Sequence, residues 1–250
     1  MGLAINAVGA FLLLYFIYYY ALRLIQSLFQ NSLSYINRFL SKLIYGISTP
    51  AHELAHLIVA LVCFSQVEHV KLFPTGNEPG YVKTNVSSKI PFVIGIKKFF
   101  ISIAPALINI PLFMFIECRY VLKCNLSDLY RIMLPSTIFS KSGLITLGLF
   151  IVLVSGIAPS HADLKGTLKG LITFCVLIFA ITYFTGHVVV DFKSITSKII
   201  GLDSLVSVVL YYIELIAFTL VINIVLHFKN GFKVVSNIFI QSIKHTFSMY

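Results

Sequence analysis

The amino-acid sequence predicts an all-α polytopic membrane protein with about six transmembrane helices and a small interfacial β-hairpin segment at about 66–92. Composition is the first reason: 58% of the 250 residues are hydrophobic, only 11% are charged, and the mean hydropathy is +0.93. Soluble domains carry about 25% charged residues, so this chain lies far outside their range. The second reason is a series of apolar stretches of about 20 residues, each long enough to cross a hydrocarbon core of about 30 Å.

The apolar stretches lie, in chain order, near 3–22, 43–65, 97–118, 133–157, 169–190 and 205–228. The first contains many aromatic residues and lacks both a basic segment and a small-residue cleavage site, so we interpret it as a membrane anchor rather than a signal peptide. The second contains Thr49-Pro50, which is typical of a helix start with Thr49 as N-cap, or of a kink. Together the stretches predict a single integral membrane domain over 1–250, embedded in a lipid bilayer.

The formal net charge is +10, which raises the question of a nucleic-acid partner. The Lys and Arg residues are spread over the connecting loops and form no single patch, a distribution that favours contacts with anionic lipid headgroups and predicts no nucleic-acid binding. Alternate loops carry similar numbers of basic residues, so the positive-inside rule assigns no orientation.

The segment 66–92 differs from the apolar stretches around it. It contains short alternating runs at 67–73 and 80–86, separated by the turn-forming residues Pro74, Gly76, Pro79 and Gly80. This pattern predicts a small β-hairpin. A strand edge here offers an extended substrate a place to bind by β-augmentation, and the alternative interpretation is a plain interfacial loop.

The pattern most informative about function is His-Glu-Leu-Ala-His at 52–56, inside the second apolar stretch. Residues four apart lie on one face of a helix, so His52 and His56 can reach one Zn²⁺ ion, with Glu53 beside it as candidate general base. The alternative is a structural pair of hydrogen-bonded histidines. Burying three polar groups at membrane depth for structure alone is costly, and this favours the metal site.

A zinc site needs a third ligand, and the segment 156–166 contains the best candidate. Gly156 and Pro159 interrupt helical structure there, and irregular backbone at membrane depth must be buried in protein or line a cavity. Asp163 offers an oxygen ligand, which would leave a fourth position open for water. The alternatives are His161 as ligand or substrate-polarising group, Glu214 as a ligand from a later span, and a role for Ser160 or Asp163 as a helix N-cap without metal.

The order of these features resembles the site-2 protease family of intramembrane zinc metalloproteases. The resemblance covers about residues 43–170, the predicted metalloprotease core, and rests on four sets of residues: the His-Glu-Leu-Ala-His motif, Lys71-Leu72-Phe73-Pro74 with Gly80-Tyr81-Val82, Ala104-Pro105-Ala106-Leu107-Ile108-Asn109, and Asp163-Leu164-Lys165-Gly166. Two positions depart from the family pattern: Ala104 replaces a glycine before the proline, and Leu164-Lys165 separate Asp163 from its glycine.

The resemblance implies hydrolysis of peptide bonds in a membrane protein substrate, within or beside the bilayer. It implies one Zn²⁺ per chain, held by His52, His56 and Asp163, with Glu53 moving protons between water and the leaving amine. Asn109 is then a candidate for orienting the substrate or the oxyanion, although an amide that bridges two helices explains it equally well.

Two non-protease interpretations stay open from the sequence. A zinc-binding homologue without activity would act as a membrane scaffold, and a transporter would also place ionisable residues inside the membrane. The spans show no internal repeat, which disfavours the transporter. The Gly166 to Gly170 spacing permits close helix packing and does not by itself predict an oligomeric state.

Overall fold

The computed structural model describes residues 2–75, 78–158, 160–186, 202–228 and 230–247, and most of these residues are helical. The α-helices are α1 Gly2–Ile36, α2 Arg38–Val62, α3 Pro91–Ile116, α4 Pro135–Ile138, α5 Lys141–Leu153, α6 His161–Thr185, α7 Leu202–Leu226 and α8 Gly231–Phe247. A π-helical turn, Glu117–Val121, continues α3, and a 3-10 helix, Leu126–Met133, precedes α4. Two strands, β1 Gln66–Lys71 and β2 Tyr81–Asn85, lie between α2 and α3.

Four helical segments in the described ranges are long and apolar enough to cross a membrane: Gly2–Ile36, Pro91–Val121, Ala162–Thr185 and Val206–Leu226. They agree with the predicted class of all-α membrane protein and correspond to the expected spans near 3–22, 97–118, 169–190 and 205–228. Residues 187–190 of the fifth expected span lie outside the described residues.

The other two expected spans are not confirmed. The stretch 43–65 falls on α2, which is long enough, but its histidines and Glu53 lower its hydropathy and it is not among the candidate spans. The stretch 133–157 contains the short helix α4 and then α5, an apolar helix of 13 residues that is too short to cross a core of about 30 Å at about 1.5 Å per residue.

Helix α2 begins earlier than Thr49-Pro50, so the interpretation of Thr49 as its N-cap is wrong. The side chain of Asn37 caps the helix instead, accepting hydrogen bonds from the backbone N–H groups of Phe39 and Leu40 at 2.8 and 3.2 Å. Pro50 lies inside the helix, and the Thr49 hydroxyl donates to the Tyr45 carbonyl at 2.7 Å. The motif histidines therefore lie on one continuous helix.

The predicted hairpin at 66–92 is confirmed. Strands β1 and β2 pair antiparallel, with Gln66 opposite Asn85 and Lys71 opposite Tyr81, and a bulge falls between Val67 and His69. The Lys83 ammonium lies 2.9 Å from the Glu68 carboxylate and holds the pKa of that carboxyl below its usual value. The hairpin is therefore a real two-stranded unit rather than an irregular loop.

Helix α3 occupies the centre of the bundle. Half of its most apolar stretch is buried, against 19% to 33% in the other candidate spans. It packs closely on α6 because glycines face it: a Cβ added to Gly170 would lie 2.5 Å from the Gly95 carbonyl oxygen, and one added to Gly166 would lie 2.6 Å from the Ser102 hydroxyl. The Gly166 to Gly170 spacing thus serves helix packing inside the chain.

A candidate metal centre between α2, α3 and α6

Two imidazole nitrogens and one carboxylate converge where α2 meets the start of α6. The Nε2 atoms of His52 and His56 are 3.1 Å apart. The carboxylate of Asp163, in the first turn of α6, lies 3.3 Å from Nε2 of His56 and 3.8 Å from Nε2 of His52. All three potential ligand atoms lie within 4.8 Å of one another, which is close enough for one metal ion to bind them together.

The donor set fits a tetrahedral divalent cation. Two ligand atoms that each lie about 2.0–2.1 Å from Zn²⁺ at a tetrahedral angle are separated by about 3.3 Å. The separations between Nε2 of His56 and its two partners, 3.1 and 3.3 Å, are close to this value, while the third separation, from Nε2 of His52 to the Asp163 carboxylate, is longer at 3.8 Å. Imidazole nitrogen and carboxylate oxygen are also the ligand types of open zinc sites with a free fourth position.

The hydrogen bonds of the two Nδ1 atoms indicate the protonation of each histidine ring. Nδ1 of His52 donates to the Gly156 carbonyl, and Nδ1 of His56 donates to the Ile101 carbonyl, both at 2.6 Å. A carbonyl only accepts, so Nδ1 carries the proton in each neutral ring and Nε2 presents a lone pair. Two lone pairs and a carboxylate then face one another, an arrangement that could hold a metal ion.

The turn that leads into α6 positions Asp163, and three other helices hold it. Its backbone groups are paired with side chains: the Ala158 N–H donates to Gln26 of α1 at 2.8 Å, and the Ser155 carbonyl accepts from the Tyr212 hydroxyl of α7 at 3.1 Å. The Gly156 carbonyl accepts from His52 of α2. This pairing is what irregular backbone inside a helical bundle requires.

Asp163 also caps the helix on which it lies. Its Oδ2 accepts from the Ser160 backbone N–H at 2.7 Å, and the Ser160 hydroxyl accepts from the Asp163 N–H at 3.1 Å, which completes a capping box. Helix capping and approach to the histidines are therefore compatible roles of one carboxylate, and treating them as competing alternatives is wrong. Oδ1 remains directed toward His56.

Glu53 is buried beside the histidines, under the hairpin. The Val82 backbone N–H interacts with its carboxylate, and a Cβ added to Gly80 would lie 3.0 Å from its Cγ. A cavity of about 1110 Å³ joins Glu53, the two histidines and Asp163 to β2. Its lining also contains Arg23, Lys98 and Lys165, which make the cavity attractive to anionic groups.

The remaining candidates lie elsewhere. Asn109 is buried between α2 and α3, where its amide donates to the Ala51 carbonyl at 3.4 Å. This contact agrees with the interpretation of Asn109 as an amide that bridges two helices. Its role in orienting substrate stays a prediction. Glu214 lies on an exposed face of α7 and does not belong to the group of potential ligands. The side chain of His161 and the whole of Pro159 lie outside the described residues.

Three contributors to this centre are missed by sequence reasoning: the carbonyls of Ile101 and Gly156, and the Gln26 side chain. The Gly156 carbonyl has no signature in the residue pattern, and Gln26 is one of several polar residues in the otherwise apolar α1, so its type alone did not single it out. No family model, curated protein or solved structure matches the chain. The resemblance to the site-2 protease family therefore rests on the motifs quoted above.

Proposed function

We propose that the protein is an intramembrane zinc metalloprotease, similar to the site-2 proteases, that hydrolyses peptide bonds of membrane-embedded or membrane-proximal substrates. The observation that carries the proposal is the convergence of His52, His56 and Asp163, with the Glu53 carboxylate in the same cavity. A structural histidine pair would not need both Nε2 atoms beside a carboxylate that another helix supplies.

His52, His56 and Asp163 would hold one Zn²⁺ per chain. When bound, the ion supplies a Lewis acid that polarises a carbonyl and lowers the pKa of water toward about 7. Glu53 accepts a proton from the attacking water and donates it to the leaving amine, which is the role of a general base that becomes a general acid. Glu53 is buried beside β2 and lines the cavity that the two histidines share.

The substrate would bind as an extended strand. A peptide bond inside a transmembrane helix is covered by its own hydrogen-bonded turn, so the scissile segment must unwind and its backbone groups must find new partners. Strand β2 borders the cavity, and a two-stranded hairpin leaves one edge of each strand unpaired. Main-chain pairing with that edge would hold an unwound segment beside Glu53.

The centre would lie within the bilayer, with α2 as a helix at membrane depth. One side of α2 faces the cavity, while Leu54, Leu61 and Val62 are exposed on its surface. Such apolar exposure is expected for side chains that contact lipid. With α2 and the 133–157 region added to the four candidate spans, six segments would lie at membrane depth.

The test compares Glu53→Gln with Glu68→Gln, a control carboxylate on β1 outside the cavity. The purified proteins are reconstituted with a fluorogenic peptide that contains one apolar span of about 20 residues. We expect one zinc per chain in all three proteins, and a loss of cleavage of about 100-fold or more in Glu53→Gln alone. Undiminished cleavage in Glu53→Gln would exclude the proposed mechanism. Zinc without cleavage in the wild type would favour the scaffold.

A further inference from the structure

The carbonyl that orients His56 is that of Ile101, four residues before a proline in α3. In an α-helix the carbonyl of residue i accepts from the N–H of residue i+4. Four residues after Ile101 stands Pro105, which lies inside α3 and has no N–H to donate. The Ile101 carbonyl is thus deprived of its helical donor, and it is this carbonyl that accepts from Nδ1 of His56 at 2.6 Å.

The helix contact brings this carbonyl within reach of the histidine. Small side chains, Ala55 and Ala60 of α2 with Ala104 of α3, are at most 1% exposed and allow the two backbones to approach closely. The proline ring also clashes with the carbonyl four residues earlier and turns it away from the helix axis. Pro105 therefore both frees the Ile101 carbonyl and directs it outward.

We propose that Pro105 is a positioning residue of the metal centre: by removing one helical N–H it reserves the Ile101 carbonyl for His56. The hydrogen bond from Nδ1 then selects the ring tautomer and leaves Nε2 unprotonated toward His52 and Asp163. Partners of this kind around metal-binding histidines typically contribute about 10- to 100-fold to metal affinity. This inference rests on the metal site in the proposed function and adds a residue to it.

A second proline in the same helix provides the matched control. Pro111 also lies inside α3, and it deprives the Leu107 carbonyl of its helical donor. Leu107 is exposed and lies outside the metal centre. Both prolines remove one hydrogen bond from α3, but only the carbonyl freed by Pro105 meets a histidine of the metal centre.

The experiment measures zinc affinity of Pro105→Ala and Pro111→Ala, by competition with a chromogenic chelator in detergent. The first substitution returns an N–H to the helix, so the Ile101 carbonyl is shared and drawn back toward the axis. We expect zinc binding about 10- to 100-fold weaker in Pro105→Ala, and affinity near the wild-type value in Pro111→Ala. Equal affinities of Pro105→Ala and wild type would overturn the inference.

A spectroscopic signature separates positioning from general damage to the helix. In the zinc-free wild type, ¹⁵N NMR of labelled histidine should show His56 protonated at Nδ1, and in Pro105→Ala the Nε2-protonated form should become populated. This measurement on the wild type stays decisive if the variant does not fold, because an Nε2-protonated His56 there would contradict the proposal. If the wild type binds no zinc, the proposed metal site is excluded. Neither measurement depends on proteolytic activity, so both can be made without a known substrate.

Discussion

The two histidines and Asp163 of the candidate centre are positioned in different ways. His52 and His56 are four residues apart on one helix, so a single turn of α2 brings their rings together. Asp163 lies more than 100 residues later in the chain, in the first turn of α6. The loop before this helix is held by hydrogen bonds from Tyr212 and His52 and to Gln26. Local helix geometry sets the spacing of the two histidines, and carbonyls of other elements orient their rings, whereas the position of Asp163 itself depends on the packing of four helices. Substitutions far from the centre should therefore displace Asp163 more than they displace the two histidines.

Substitution of Asp163 should give the largest effect, because it removes a ligand. Asp163→Asn keeps an oxygen that can accept from the Ser160 N–H, while Asp163→Ala loses both the ligand and the cap. We expect zinc affinity to fall by more than about 100-fold in both variants. Only Asp163→Ala should also lose about 1 kcal/mol of stability, measured by denaturant unfolding in detergent. Zinc affinity at the wild-type value in either variant would exclude Asp163 as ligand.

Substitution of Gly170 should displace Asp163 indirectly, because Gly170 lies on the contact of α6 with α3 and not beside the histidines. Its new Cβ would lie 2.5 Å from both the Gly95 carbonyl oxygen and the Phe99 Cβ, so α6 must move away from α3. We expect Gly170→Ala to cost about 1–3 kcal/mol and to weaken zinc binding through displacement of Asp163. Denaturant unfolding and chelator competition measure the two effects separately.

Gly148→Ala is the control for this prediction, since a Cβ there meets nothing within 4 Å. It should leave zinc affinity unchanged. If Gly170→Ala destabilises the protein but binds zinc like the wild type, then α6 does not depend on this contact for the placement of Asp163.

Loss of the Gln26 side chain should produce the smallest effect of the three on zinc affinity. Gln26→Ala leaves the Ala158 N–H without its partner and loosens the turn before α6, at a cost of about 1–3 kcal/mol. We expect a reduction of zinc affinity of a few-fold, read by the same chelator competition. Gln30→Ala, in the same cavity wall and without a side-chain hydrogen bond among the described residues, should bind zinc normally. Identical affinities for the two variants would mean that Gln26 does not support the Asp163 side.

The same contrast explains how much of the molecule could be predicted from its sequence. The His-Glu-Leu-Ala-His pattern and the hairpin are local, because each depends on spacing within a few residues. Asp163 could be found because Gly156 and Pro159 mark irregular backbone between two apolar stretches, and such backbone must be buried in protein or line a cavity. The start of α2 at Asn37 was not predicted, since the cap by the Asn37 side chain outweighs the local preference of Thr49-Pro50 to start a helix. The split of 133–157 has a local cause that hydropathy does not show: Ser140 caps the start of α5, with its hydroxyl accepting from the Gly143 N–H at 3.3 Å.

The shared carboxylate of Asp163 would couple the proposed metal binding to the stability of the start of α6. Since one side chain caps the first turn of α6 and also faces the two imidazoles, occupancy of the centre and order of that turn are thermodynamically linked. If a cation binds there, its withdrawal would leave two imidazole lone pairs facing a carboxylate, and either proton uptake by an imidazole or fraying of the helix start would relieve the repulsion. Where the helix start frays, the metal-free chain would expose a local opening to amide exchange and to quality-control proteases, and loading would close it.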